Sequence, residues 1–160
     1  MRTHRPALCG PRSRRIRSCI AAALAAVTVA VAVAPTATAM PYGNYNMIIP
    51  DRFDFHTWIW AISPCANGTC VSVDARAQPV AKAYAYVGEA HLVDGRYTLV
   101  VDDPFGLRCD NIYYGPTIPT HDLYTWDATT LAGSMQSSFD TGCDGAPGGS
   151  FTYPFTLSRM

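Results

Sequence analysis

The chain has 160 residues and no formal net charge, because twelve basic residues balance twelve acidic ones. The balance is uneven along the sequence, since six basic residues precede residue 18 and all twelve acids follow residue 50. Without its first 39 residues the chain keeps six basic against twelve acidic residues, a net charge of −6. An acidic surface argues against nucleic acid and anionic lipid headgroups as partners.

The first 39 residues have the order of an export signal. Residues 1–18 carry six arginines and no acid, residues 20–34 carry no charge, and Ala37 and Ala39 supply the small side chains of a cleavage site. The uncharged run of 15 residues is shorter than the ~20 needed to span a bilayer. We therefore predict a signal peptide at 1–39 that is cleaved after Ala39. An uncleaved anchor is the alternative, and the general secretory route is favoured over the twin-arginine route.

The prediction places the mature chain outside the cytoplasm, secreted or in the cell envelope, with no stable membrane span after cleavage. Residues 40–160 show no internal repeat or linker and are long enough for one domain with an ordinary core. All 18 aromatic residues lie in this segment. This composition predicts a core built from rings, and it also suits the binding of a sugar or a lipid.

Four cysteines remain after the signal, which in a secreted chain indicates disulfides. Asn67-Gly68 is a type I′ turn signal that places Cys65 opposite Cys70, at a position where strand side chains approach closely. Cys109 is then left to pair with Cys143. A zinc site is the competing interpretation, and the spacing of these cysteines fits it poorly.

The hydropathy pattern is mostly that of strands. Trp58, Trp60 and Ile62 occupy alternate positions, and Asp94-Gly95 predicts a tight hairpin that sets Leu92 opposite Tyr97 and Ala90 opposite Leu99. Further strands are predicted at 81–90, 130–138 and 151–158. In the second of these Leu131 and Met135 point inward and Gly133 allows a close approach, and in the last Pro154 indicates an edge or a bulge.

Between the strands, residues 102–108, 114–122 and 140–150 are rich in turn-forming residues. No segment shows a helical stripe. The expected fold is mostly β, a meander-like antiparallel sheet closed as a small β-barrel or folded as a β-sandwich, and stapled by two disulfides.

The candidate ligand-binding residues are Asp54, His56, Trp58 and Trp60, which share one face if the strand extends through them. Two indoles on one face suit a sugar ring or an acyl chain, although the same spacing also fills a core. A carboxylate beside an imidazole suits acid–base chemistry or metal binding. The alternative is that Asp54 and His56 are solvated residues at a strand entrance, with Arg52 as a counter-ion.

No motif predicts a reaction, a metal or a cofactor. Asp140-Thr141-Gly142 matches the aspartic-protease tripeptide once, but that chemistry needs two such aspartates. His121-Asp122 and Asp102-Asp103 are predicted to lie in turns, where Asp side chains hold local backbone N–H groups.

Three stretches of the C-terminal half, 124–133, 142–149 and 153–159, contain Tyr-Thr-Trp-Asp-Ala, Gly-Cys-Asp-Gly-Ala-Pro-Gly-Gly and Tyr-Pro-Phe-Thr-Leu. With them, the chain resembles small secreted proteins of mycobacteria and related actinomycetes, which are conserved hypothetical proteins. The resemblance implies an envelope or extracellular location. It implies no activity and assigns no functional residues.

Three hypotheses follow. The first is a non-catalytic exported domain that binds an envelope glycan, a lipid or a protein partner. The second is a secreted hydrolase that uses Asp54 and His56. The third is a purely structural or protein-interaction domain, which predicts that Trp58 and Trp60 are both buried with no cleft beside them.

Overall fold

The computed structural model describes residues 39–50, 57–66, 68–78, 83–110 and 114–160. The chain divides into units 1–34 and 35–160, and every described residue belongs to the second unit. The strands are β1 Gly43–Ile48, β2 Thr57–Pro64, β3 Cys70–Gln78, β4 Tyr86–Val93, β5 Arg96–Arg108, β6 Thr117–Asp127, β7 Ala132–Thr141 and β8 Pro147–Arg159, with a 3₁₀ turn at Cys143–Gly145.

Each strand pairs with the next in sequence, and β8 returns to pair with β1. All eight pairings are antiparallel. The described chain is therefore a closed up-and-down barrel. The predicted mostly-β meander is confirmed, and of the two arrangements left open by the sequence the barrel is the observed one.

The predicted hairpin at Asp94-Gly95 is confirmed. Both residues have positive φ, 48° and 77°, as a two-residue type I′ turn requires. Leu92 then pairs with Tyr97. From Arg96 to Val101 exposed and buried residues alternate strictly, because successive side chains of a strand point to opposite faces.

Both predicted disulfides are confirmed. Cys65 bonds Cys70 across the β2–β3 connection, with Cα atoms 5.6 Å apart. Cys109 bonds Cys143 with Cα atoms 5.5 Å apart and joins the end of β5 to the turn between β7 and β8. The second bridge closes the longer loop, with a sequence separation of 34 residues against 5.

The segments expected to be turn-rich are corrected by the structure. β5 continues through Arg108, β6 begins at Thr117 and β8 begins at Pro147. Asp102, Asp103, His121 and Asp122 therefore lie in paired strands and not in turns. The polar residues face both the interior and the outside here, so the alternation in hydropathy that reveals a strand is lost.

Aromatic rings fill the middle of the barrel, as the composition indicates. The ring centroid of Trp60 lies 5.3 Å from that of Trp126 and 5.8 Å from that of Phe155. Tyr97 stacks on Trp126 at 5.1 Å. An interior closed by eight strands is just wide enough for side chains to fill it, and these rings supply the volume.

Gly133 lies where neighbouring strands pack closely, and Pro154 lies beyond the end of the β1–β8 ladder. A Cβ at Gly133 would clash with the Thr125 carbonyl and with Phe155, which confirms the predicted close approach. The ladder between β1 and β8 ends at Ile48↔Thr156. Pro154 lies beyond this ladder and pairs with Ser134 of β7. The predicted edge strand is not observed, because β8 has a neighbour on each side in the closed barrel.

Met40 closes the end of the barrel where β2, β4, β6 and β8 finish. Its side chain is 2 % exposed, and the Trp126 indole donates a hydrogen bond to its sulfur at 3.4 Å. The backbone of Met40 hydrogen-bonds the Tyr97 hydroxyl. The Tyr45 hydroxyl holds the next residue by donating to the Pro41 carbonyl at 2.7 Å. The residue expected to begin the mature chain is thus part of the core.

We predict that Met40→Ala lowers the free energy of unfolding by roughly 2–5 kcal/mol, because a buried Met side chain leaves a cavity. Urea unfolding of the exported protein measures the loss, and intact mass confirms that the N-terminus is unchanged. The control is Met160→Ala, since Met160 is 67 % exposed and its truncation should change the stability little. Equal effects of the two changes would contradict the packing role of Met40.

We also predict unequal contributions from the two disulfides. Replacing Cys109 and Cys143 with Ala should cost about 4 kcal/mol, and replacing Cys65 and Cys70 about 2 kcal/mol, because the longer loop restricts the unfolded chain more. Urea unfolding of the two double variants measures the difference. A larger loss for the Cys65/Cys70 variant would show that loop entropy does not govern these bridges.

Candidate active site: the mouth of the barrel

The mouth is the end of the barrel where β1, β3, β5 and β7 finish. Here the inward face turns polar, with Asp103, Thr120, Asp122 and Ser137 all buried. The register pairs Asp103 with Thr120 and Asp122 with Ser137, so the four residues occupy two adjacent rows across β5, β6 and β7. The polar residues that are buried in the described chain therefore gather at one end of the interior.

Thr120 and Asp122 are hydrogen-bonded to each other. The Thr120 hydroxyl donates a hydrogen bond to Oδ1 of Asp122 at 2.8 Å. Oδ2 of Asp122 is buried, and no protein group lies at hydrogen-bonding distance from it. The side chain is 1 % exposed. One carboxylate oxygen is thus held in place while the other is left open in the interior.

The Tyr86 hydroxyl and Nε1 of Trp60 are also buried, and neither has a partner at ordinary hydrogen-bond distance and angle. Tyr86 still interacts with the side chains of Tyr124 and Trp60, and more weakly with the charge of Asp122. We call Trp60, Tyr86, Thr120, Asp122 and Tyr124 the interior polar cluster. It combines a carboxylate acceptor, an indole donor and hydroxyls that can do either.

Burial raises the pKa of Tyr86 well above its usual range, and the neighbouring Tyr124 and Asp122 raise it further. Tyr86 therefore remains a neutral hydroxyl at every physiological pH and keeps its proton available for donation. A buried acceptor or donor without a partner costs about 1–3 kcal/mol, and more when it is charged. Native proteins rarely leave such groups open without a reason.

A pocket opens beside the cluster. Among the described residues, β4 and β5 pair at three positions next to the Asp94-Gly95 turn. Toward the mouth, the described parts of these two strands are not paired with each other. A pocket of about 340 Å³ lies on this side, lined by Tyr84, Asp102, Asp103, Pro104, Pro119, Thr120 and His121. Thr120 lines this pocket and also donates to Oδ1 of Asp122, so the pocket adjoins the interior polar cluster through Thr120.

The β5 bulge shapes the wall of this pocket. The register shifts between Asp103 and Leu107, and the Asp103 carboxylate accepts a hydrogen bond from the Phe105 amide at 2.7 Å. Asp103 therefore holds a local backbone N–H as the sequence predicts, although it does so within a bulged strand. Gly106 leaves space that the Thr120 side chain fills, since any Cβ there would overlap it.

Three aromatic residues form a second wall of the mouth. Phe139 stacks on Phe151 with ring centroids 5.6 Å apart, and Phe151 lies 6.3 Å from Tyr153. Phe139 is two residues beyond the buried Ser137, and Tyr153 is two before the buried Phe155, so these rings belong to the inward face. We call Phe139, Phe151 and Tyr153 the aromatic strip. Phe151 is 47 % exposed, and it lies where the β1 ladder does not extend.

His121 and Asp102 form a pair on the outer face. Nδ1 of His121 lies 2.5 Å from a carboxylate oxygen of Asp102. This hydrogen bond raises the pKa of His121, and the negative charges of Asp102 and Asp140 add to the rise. The imidazole faces away from Asp122, so the structure does not combine the two into a catalytic pair.

The residues predicted as a binding site are only partly described. Trp58 and Trp60 are 4 % and 0 % exposed and belong to the core cluster, which is the second of the two roles that the sequence left open. Trp60 also contributes its indole N–H to the interior polar cluster. Asp54 and His56 lie outside the described residues, so their proposed acid–base or metal-binding role stays a prediction.

Tyr86, Thr120 and Asp122 were not predicted as site residues from the sequence. Thr120, Asp122, Tyr124 and Trp126 occupy alternate positions of one strand, and this period places Asp122 on the face of two large aromatic residues. This alternation can be read from the sequence. It was not recognised because Pro119, His121 and Asp122 together resemble a turn.

Comparison with known proteins gives no match, since no family model fits the chain and neither curated proteins nor solved structures are significantly similar to it. Within the described ranges no group of three or more His, Cys, Asp or Glu residues is arranged to hold a metal ion. No helix in the same ranges is long and apolar enough to cross a membrane.

We predict that His121 titrates above the ordinary value of about 6.5. Because its pKa is raised in the folded state, the pair stabilises the fold below pH 6.5 and loses this contribution as the pH rises through the folded pKa. The contribution is small because both side chains are exposed. An NMR titration measures the pKa, which Asp102→Asn should lower and Asp140→Asn should change less. An unchanged pKa in Asp102→Asn would refute the assigned cause.

Proposed function

We propose that the protein is an exported, non-catalytic domain that binds a small polar ligand at the mouth of its barrel. The observation that carries this proposal is Oδ2 of Asp122, which is buried without a hydrogen-bond partner among the described groups. Eight-stranded barrels either fill their interior with side chains or hold one small ligand there. In the middle of this barrel, side chains fill the interior. At the mouth, the buried polar side chains are suited to hold a small ligand.

Two observations support export to the cell envelope or the extracellular space. The order of charge, apolar run and small residues in 1–39 is that of a signal peptide. Two disulfides are typical of a chain that folds in an oxidising compartment. The partner of the mouth would then be an envelope or extracellular molecule.

The described chemistry of the mouth supports binding over catalysis. The Thr120 hydroxyl meets a carboxylate and no imidazole, and a hydroxyl nucleophile needs a base that can accept its proton. Nearby His121 is engaged by Asp102 on the outer face. The hydrolase hypothesis rests on Asp54 and His56 and is not strengthened by any described contact.

A structural domain is the second candidate, because both indoles at 58 and 60 are buried as that hypothesis expects. The two candidates differ in what the interior polar cluster does. If the cluster is only structural, a buried water completes it and its removal weakens the fold. If it binds a ligand, its removal weakens binding while the ligand-free fold is kept.

We predict that Asp122→Asn leaves the ligand-free stability unchanged or raises it by about 1–2 kcal/mol, because it removes a buried charge that is only half paired. Asn can still accept the hydrogen bond from Thr120. The control is Asp127→Ala, since Asp127 accepts the amides of Thr129 and Thr130, and the loss of that cap should lower the melting temperature. Urea and thermal unfolding of both variants provide the comparison.

Binding is measured with the same variants. A panel of small glycans, lipids and peptides is screened by thermal shift, and the wild-type barrel should be stabilised by one class in a concentration-dependent way. Asp122→Asn should abolish that shift and Asp127→Ala should keep it. A loss of more than about 3 kcal/mol of stability in Asp122→Asn, or no shift with any class, would overturn the proposed function.

A further inference from the structure

We infer that the ligand of the mouth is a neutral carbohydrate, with one ring face on the aromatic strip and its hydroxyls directed at the polar rows. This inference rests on the proposed function, since it names the chemical class that the same site takes. It depends on three features of the described residues: the exposed rings, their register relative to Asp122, and the kinds of polar atoms left open.

The aromatic strip offers a flat apolar surface at a place where such a surface is usually covered. Phe139 and Phe151 are nearly parallel, with 29° between their planes, and Tyr153 continues the row at 39° to Phe151. The strip belongs to the inward face, yet Phe151 remains half exposed. An exposed apolar surface next to polar groups is typical of a ligand-binding site, and a row of rings matches the flat C–H face of a sugar.

The register brings the strip within reach of the polar rows. Ser137 pairs with Asp122 on one side and with Phe151 on the other. Phe151 and Asp122 are therefore two strands apart on one inward face, about 10 Å between backbones. A sugar on Phe151 extends toward Ser137 and Asp122, and the pocket lined by Asp103 and Thr120 lies one row further toward the mouth.

The open polar atoms select a hydroxyl-bearing ligand. Oδ2 of Asp122 can only accept and Nε1 of Trp60 can only donate. A ligand hydroxyl, or a water that the hydroxyl orders, can donate to the open oxygen of Asp122. An acyl chain would leave that oxygen unpaired.

The charges at the mouth select a neutral sugar over an acidic one. Asp102 and Asp103 line the pocket, Thr120 of the same lining is bonded to Asp122, and Asp140 lies near His121. Among the described side chains that line the pocket, His121 is the one that can carry a positive charge, and Asp102 already engages it. A carboxylate or sulfate on the ligand would meet repulsion from this cluster.

The test uses the exported protein and isothermal titration calorimetry with defined probes. The neutral probes are oligosaccharides of glucose, galactose, mannose and N-acetylglucosamine. The comparison probes are oligogalacturonate as an acidic sugar, choline as a cation and laurate as an acyl chain. We expect at least one neutral oligosaccharide to bind and the acidic sugar of similar size to bind at least tenfold more weakly.

Variants of Phe151 test whether the neutral oligosaccharide binds at the aromatic strip. Phe151→Ala should weaken the neutral oligosaccharide about tenfold or more, corresponding to 1.4 kcal/mol, and Phe151→Trp should keep or strengthen it. Tyr42→Ala is the matched control, because Tyr42 is an exposed ring at the opposite end of the barrel. Circular dichroism and the melting temperature confirm that each variant is folded.

The outcomes separate this inference from the proposed function. If choline, laurate or oligogalacturonate binds in an Asp122-dependent way and no neutral sugar does, the mouth is a binding site and the carbohydrate assignment is wrong. If a neutral sugar binds but Phe151→Ala has no effect, the role of the aromatic strip is wrong. If no probe binds, the proposed function and the inference built on it both fail.

Discussion

The ladder between β1 and β8 is the constraint on which the rest of this structure depends. Four residue pairs, from Tyr45↔Arg159 to Ile48↔Thr156, close the meander into a barrel. Closure creates an interior that must be filled, and the aromatic rings around Trp60 and Trp126 fill it. Among the described residues this ladder stops at Ile48, and beyond it Phe151 of β8 is exposed at the mouth.

The two ends of the barrel differ in the polarity of the side chains that fill them. At one end Met40 and the Trp126 indole complete an apolar interior with its polar atoms paired. At the mouth, Asp122 is buried with one oxygen bonded to Thr120 and the other open. A fold selected for stability alone would replace this carboxylate, since buried groups without partners are costly. The carboxylate is explained if it contributes to ligand binding and lowers the stability of the ligand-free fold.

The sequence predicted those parts of the fold that depend on local chemistry. Asp94-Gly95 specified its hairpin because few residue pairs tolerate two positive φ values, and Cys65 was matched with Cys70 by strand geometry. The prediction failed at 102–108 and 114–122, where β5 and β6 have polar residues on both faces. Hydropathy marks a strand only when one face is apolar, so the polar lining that makes the mouth interesting also concealed its strands. Asp122 was assigned to a turn for the same reason.

The sequence by itself determined the strand-rich composition, the pairing of four cysteines and the acidic charge of the chain after residue 39. These are properties of residue types and short spacings, so they do not depend on how distant strands meet. Only the tertiary structure decided that the sheet closes as a barrel, that both indoles at 58 and 60 point inward, and that Tyr86 lies beside Asp122. Those facts depend on the register of strands far apart in sequence, which brings β4 and β6 to one interior although 35 residues lie between Tyr86 and Asp122.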